Sequence, residues 1–201
     1  MAIEDDIAAY EPRNEQEEAD KQVMLSVLAR DEHAFDRSAM AHMACSIWTV
    51  SPDTARTLLV YHNIYRSWSW IGGHADGERN LAAVALRELS EETGVVHARL
   101  AKLPAGGIYS LEALTVDGHE KRGRYVSSHL HLNVTYLAVA DPREPVRVKP
   151  DENSGVKWVA THDAIALSTE PWIRERIYRK LIDKLEDPQV KRAIADAARE
   201  L

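Results

Sequence analysis

Gly72-Gly73-His74-Ala75-Asp76-Gly77-Glu78-Arg79-Asn80, running into Leu81-Ala82-Ala83-Val84-Ala85-Leu86-Arg87-Glu88-Leu89-Ser90-Glu91-Glu92-Thr93-Gly94-Val95, is the stretch around which the chain is organised. It reads as a glycine-rich loop feeding a short helix that ends in three carboxylates. Asn80 suits the N-cap, since its side-chain oxygen can accept from an orphan backbone N–H. Gly94 suits the stop, because it takes the left-handed conformation without a Cβ clash. Glu88, Glu91 and Glu92 stand at i, i+3 and i+4 and so share one face. Like charges at that spacing repel by roughly 0.2–0.5 kcal/mol per pair. A hard, oxygen-preferring cation such as Mg2+ or Mn2+ turns that cost into binding. The plainer reading is a solvated acidic face with Arg87 pairing Glu91. Against it, Leu81, Val84 and Ala85 line one side of the helix and Ala82, Leu86 and Leu89 the other. A helix apolar on both sides is covered on both sides, which leaves the glutamates projecting into a cleft.

The stretch resembles a Nudix box: Gly, five residues, Glu, seven residues, then Arg-Glu-apolar-any-Glu-Glu-any-Gly-apolar. Gly73 matches the first glycine, and Arg87, Glu88, Leu89, Glu91, Glu92, Gly94 and Val95 match the second half in register. One position departs. Arg79 stands where the box has its first Glu, with Glu78 one residue early and Asp76 a second acid that could substitute.

Strands before and after a central helix, with helices at both ends, give an α/β chain forming a three-layer α/β/α sandwich with a mixed sheet. The resemblance implies the same fold, and an enzyme that hydrolyses the diphosphate bond of a nucleoside diphosphate linked to another moiety. It also implies Mg2+ or Mn2+ held by Glu88, Glu91 and Glu92 with the Gly73 carbonyl. Arg87 would orient the carboxylates, and a late loop would contribute an acid: Glu152 by position, with Asp151 and Glu120 behind it. The short strand Trp68-Ser69-Trp70-Ile71 would deliver the glycine loop to the phosphates, with Trp70 beside the substrate.

At 201 residues the chain can bury one full core. We read residues 1–38 as a helical extension, 39–165 as the Nudix-like domain and 166–201 as helices packed on it. The net charge of -7 provides no basic footprint for a nucleic-acid polymer. The single cysteine, Cys45, excludes an internal disulfide and sits in an apolar run, as a buried inert thiol does. No stretch spans a bilayer and the first residues lack a signal peptide's pattern, so the expected compartment is the cytoplasm. A small-molecule diphosphate is the expected partner, with a homodimer as an option.

Elsewhere the chain alternates strand and turn signals. Glu15–Arg30 carries an amphipathic stripe and predicts a docking helix or dimer contact. His42–Val50 and Thr57–His62 predict an antiparallel hairpin, with strands also at Val95–Leu100, near Ile108–Val116 and at Gly155–Val159. Pro142–Pro150 reads as a connecting hairpin region. His119–Arg124 reads as a solvated loop or a phosphate-contacting lid, since Arg and Lys suit polyphosphate. His129–Val139 is the clearest strand, with Leu130, Leu132, Val134 and Tyr136 on one face and His129, His131 and Asn133 on the other. His129 and His131 could ligate a transition metal, but no third soft ligand is near them in the sequence. A polar face on which neutral histidines, His131 among them, hydrogen-bond substrate stands ahead of a zinc site and level with the plainer reading of a satisfied histidine on a half-buried sheet. Pro171 and Pro188 start the last two helices.

Two alternatives stand beside the hydrolase. A catalytically degenerate Nudix domain would sense a ligand or act as a scaffold, and Arg79 is its support. An isomerase of the isopentenyl-diphosphate type needs a cysteine near the glycine loop, and Cys45 lies in an earlier strand.

Overall fold

The computed structural model describes residues 2–121 and 123–201, with only the backbone of Lys121 described. Helices α1 (Ile3–Ala9) and α2 (Glu15–Leu28) precede β1 (Ala41–Val50), β2 (Arg56–His62), β3 (Ser67–Ser69) and β4 (Ile71–His74). Helix α3 (Leu81–Thr93) follows, then β5 (Arg99–Leu100) and one distorted turn, α4 (Pro104–Gly107). Next come β6 (Ile108–Val116), β7 (His119–Lys121), β8 (Arg124–Val126), β9 (His129–Val139) and β10 (Asn153–Ala160). The chain closes with α5 (Ala164–Leu167), α6 (Arg179–Lys184) and α7 (Pro188–Ala198).

The main sheet runs β10-β2-β1-β9-β5, with β3 beside β2, β4 beside β1 and β6 beside β9. It is mixed because β1 and β9 pair in parallel, His42 opposite His131 and Val50 opposite Val139, while the other pairings are antiparallel. Period-two alternation divides two cores between its faces. Met43, Cys45 and Ile47 of β1 join Leu132, Val134 and Tyr136 of β9 in a core shared with α1, α2 and α3. Trp48, Val50, Leu137 and Val139 point the other way, to Ile177, Leu181, Leu185, Val190 and Ile194 of the C-terminal helices. This is the three-layer α/β/α sandwich expected from the pattern. No helix among the described residues is long and apolar enough to cross a membrane.

A buried polar knot joins the chain's two ends. Glu17 of α2 is fully buried, and its Oε1 accepts from Lys184 Nζ at 2.7 Å and Ser110 Oγ at 2.7 Å, with Lys180 Nζ at 3.3 Å. Lys180 also donates to Glu112 and Gln16, and Glu112 accepts from Asn133 and Thr135. Burial pushes the Glu17 carboxyl up, but Lys184 and Lys180 outweigh it and bring the acid down to about 2. Burial lowers Lys184 despite the Glu17 carboxylate, and the neighbouring Lys180 ammonium adds to the shift.

Several local expectations are corrected. Val95–Leu100 is strand only at Arg99–Leu100, because Val96 N–H donates to the Glu144 carboxylate. Pro142–Pro150 forms no strand; Arg147 N–H donates instead to the Thr93 carbonyl at the end of α3. His119–Arg124 is not an open loop but the start of a two-stranded hairpin, β7 with β8. Arg122 of that segment lies outside the described residues. The helix from Pro171 is helical throughout but wound as a π-helix over Ile173–Tyr178.

Candidate metal and active site

The caps of α3 form as its sequence requires. Asn80 Oδ1 accepts from Ala83 N–H at 3.1 Å, and Gly94 sits at φ 81° with its N–H on the Ser90 carbonyl. Leu81, Val84, Ala85 and Leu89 bury one side of the helix, which packs on β1 and β4. Its last turns then bring Glu88 and Glu92 against the glycine strand. Gly73 leaves room for the Glu88 carboxylate there, because a Cβ at that position would lie 2.6 Å from the Glu88 carboxyl carbon and turn the side chain away. Gly72 N–H faces Glu92 Oε1 at 3.4 Å.

The third acid comes from the loop before β10. Glu88, Glu92 and Glu152 each offer a carboxylate oxygen, and these oxygens lie within 4.8 Å of one another. Glu92 is only 3% exposed, and burial followed by the Glu152 and Glu88 charges pushes its carboxyl up to about 8. Glu88 is raised too, first by burial, then by Glu91 and Glu152. Three hard oxygen donors gathered this closely suit a divalent cation such as Mg2+ or Mn2+, which would relieve the crowding that raises Glu88 and Glu92. Glu91 stands apart. Its carboxylate meets Lys149 Nζ at 3.1 Å and Arg87 Nε at 3.9 Å, half exposed at the rim. Arg87 also lies 4.0 Å from Glu88 and reaches along the acidic edge.

Two residues that sequence reasoning missed hold this arrangement. Lys149 bridges Glu91 and Glu152, 3.1 Å from each. Asn153, fully buried, donates through Nδ2 to the Glu92 carbonyl at 3.0 Å and accepts from Lys149 N–H at 3.2 Å. It staples the Glu152 loop to the end of α3. The one available signal was its position next to Glu152, and an Asn in a turn is common enough to pass unnoticed.

Neither acid near the departed box position reaches the cluster. Glu78 accepts from Asn80 N–H at 2.8 Å, and Asp76 forms a two-pronged pair with Arg37. Arg79 itself bonds Glu4 of α1 at 2.7 Å and covers the Phe35 ring. The place of the first box Glu has been given over to docking the N-terminal helix. Asp151 and Glu120 are outside the three-carboxylate cluster as well.

Trp70 donates its backbone N–H to Tyr178 Oη at 2.9 Å, and its half-buried ring packs on the Tyr178 ring. Cys45 lies across the β1–β4 ladder from Gly73, so distance in sequence was a poor guide to its place. It is 1% exposed, with the thiol pushed up to about 12 by burial, and is no nucleophile. His131 does not stand alone on a substrate wall. Parallel pairing puts His42 opposite it, and β4 adds His74, so the sequence's two histidines become four with His129.

A family model for the NUDIX domain matches residues 40–181. Among solved structures, the E. coli dihydroneopterin triphosphate pyrophosphohydrolase aligns with TM-score 0.52 and 16% identity, over 70% of this chain and 95% of that one. The NUDIX domain of Shewanella oneidensis NrtR, complexed with ADP ribose, aligns with TM-score 0.49 and 22% identity, over 80% and 97%. A C. elegans Ap4A hydrolase binary complex aligns with TM-score 0.49 and 19% identity, over 71% and 93%. No curated protein matches the chain. The family match covers well over half of the sequence and includes the glycine strand, α3 and the Glu152 loop, and by it the chain belongs to the Nudix hydrolase family.

Proposed function

We propose that the protein hydrolyses the diphosphate bond of a nucleoside diphosphate linked to another moiety, using Mg2+ or Mn2+ held by Glu88, Glu92 and Glu152. The supporting observation is the convergence of those three carboxylates within 4.8 Å beside Gly73, where a Cβ would crowd the Glu88 carboxylate. The Gly73 carbonyl is a further candidate ligand, and Glu91 a candidate at the rim. When bound, a divalent ion neutralises the diphosphate and makes an attacking water more acidic.

The chain's own residues do the rest. Glu152 is the acid we assign to take the water's proton on its carboxylate, since it comes from a loop opposite α3 and is steered by Lys149. Arg87 keeps Glu88 and Glu91 oriented along the helix edge. The half-buried ring of Trp70 packs with Tyr178 on the sheet face away from Glu88 and supports the glycine strand from behind.

A second reading, a ligand-sensing or scaffolding domain, draws on Arg79, which is engaged with Glu4 where the box has an acid. One experiment separates the two. A panel of sugar nucleotides, dinucleotides and damaged or non-nucleotide diphosphates is assayed with Mg2+ and Mn2+ for released phosphate esters, with parent and Glu92→Gln proteins. Hydrolysis that the variant loses by orders of magnitude supports the enzyme. No turnover on any member, with no Mg2+ bound in calorimetry, supports the sensor.

A further inference from the structure

The four histidines form a second cluster, on the other face of the sheet from α3. His42 shares its face of β1 with Ser46 and Trp48, away from the Met43, Cys45 and Ile47 side that α3 covers. His131 stands opposite His42 on β9, and His74 stands opposite Ala44 on β4 and shares that face. His129 lies two residues before His131. One ring nitrogen from each of the four lies within 4.8 Å of the others. The ring centroids are 4.8–5.3 Å apart from His42 to the other three and from His131 to His74 and His129.

The hydrogen bonds select which nitrogens point inward. His42 Nδ1 faces the Ala39 carbonyl at 2.9 Å, and His129 Nδ1 faces the Ser127 carbonyl at 2.8 Å. A carbonyl only accepts, so both Nδ1 atoms carry hydrogen, which leaves each Nε2 as the nitrogen free to ligate once its ring is neutral. Donation of the outer ring N–H to a backbone carbonyl is the support that metal-bound imidazoles have. His42 is 2% exposed, and its Nε2 is buried with no hydrogen-bond partner among the described residues. His129 Nε2 and His131 Nε2 are 3.2 Å apart. Two imidazoles on one tetrahedral Zn2+, at about 2.0–2.1 Å each, would be about 3.3 Å apart.

Phosphate binding by a protonated cluster is the competing chemistry. Against it, binding an anion through protonated rings would gather several positive charges within ring-stacking distance, one of them on the buried His42. Asp76, two residues after His74, is paired with Arg37, and the four donors are all nitrogen. All-imidazole donors favour a borderline transition ion over Mg2+.

We propose that His42, His74, His129 and His131 form a second metal site, selective for a divalent transition ion of the Zn2+ class and separate from the carboxylate site. Its occupant would clamp β1, β4 and β9 together at the residue after Gly73. The inference does not depend on diphosphate hydrolysis.

The test is a titration of the metal-free full-length protein with Zn2+, and with Co2+ as an optical probe, in excess Mg2+. The expected result is one equivalent bound per chain, with the visible bands of cobalt in a four-coordinate nitrogen field. His74→Ala and His129→Ala should each weaken binding at least about tenfold, while Glu92→Gln leaves it intact. His129 is only half buried, so its removal leaves the core in place; thermal melts of each variant confirm folding. Absence of Zn2+ binding by the parent protein overturns the proposal. So does binding that is lost in Glu92→Gln and retained in both histidine variants, because the ion would then sit on the carboxylates.

Discussion

Lys149 Nζ lies 3.1 Å from Glu152 Oε2. That contact, with its twin to Glu91, puts an ammonium group beside the crowded acids of α3. Burial lowers the lysine, but hydrogen bonds to Glu152 and Glu91 outweigh it and hold it above its ordinary range. Lys149→Met removes this compensation. The metal-free variant should lose about 1 kcal/mol, as befits a pair still reached by solvent. Added Mg2+ should raise its melting temperature more than it raises the parent's. Differential scanning calorimetry with and without Mg2+ checks both outcomes.

Gly73 supports a sharper prediction. Alanine there would bring a methyl group 2.6 Å from the Glu88 carboxyl carbon, and the carboxylate would have to turn away. Gly73→Ala should weaken Mg2+ binding and lower turnover while the fold survives. Isothermal titration with Mg2+, beside a far-ultraviolet spectrum, would show it; parental Mg2+ affinity in the variant would refute this role of the glycine.

Asn153→Ala cuts the staple between the Glu152 loop and α3. It strands the buried Glu92 carbonyl and Lys149 N–H, a loss of about 1–3 kcal/mol for each buried group left unsatisfied. Glu152 should then wander, so the variant's kcat should fall by more than its KM rises. Urea unfolding measures the first effect and steady-state kinetics the second.

The Glu17 knot predicts the acid limb of the stability curve. Its folded-state pKa, about 2, lies below the ordinary carboxylate value, so ionised Glu17 stabilises the fold above that value. The contribution is lost as pH falls from about 4.5 through 2. Glu17→Gln should flatten this limb. Glu17→Ala should cost about 3–5 kcal/mol at neutral pH, since it leaves two lysines buried without their shared acid. Equilibrium unfolding between pH 2 and 7, chosen as roughly the span that brackets both values, reads both effects.

What could be read in the sequence was whatever is local. Asn80, Gly94 and the carboxylate spacing act within one helix, and the alternation of His129–Val139 reports a strand directly. What could not be read depends on partners far away in the chain. Glu152 was found only by resemblance, and Lys149 and Asn153 were missed, because their roles come from the loop folding back on α3. His129 and His131 have no third ligand near them in the sequence, because His42 reaches them only through a parallel strand pairing. The Val95–Leu100 and Pro142–Pro150 segments carry β-like residues, yet their backbone groups bond to a side chain and a helix end. Propensity gave way there to tertiary context.

The link from Glu17 to Lys180 and Lys184 also constrains the order of events during synthesis. A ribosome makes α2 long before its charge partners, and the sheet cannot close until β9 emerges beside β1. Until then a nascent chain holds an acid that cannot be buried without partners, so α2 waits, undocked, for α6.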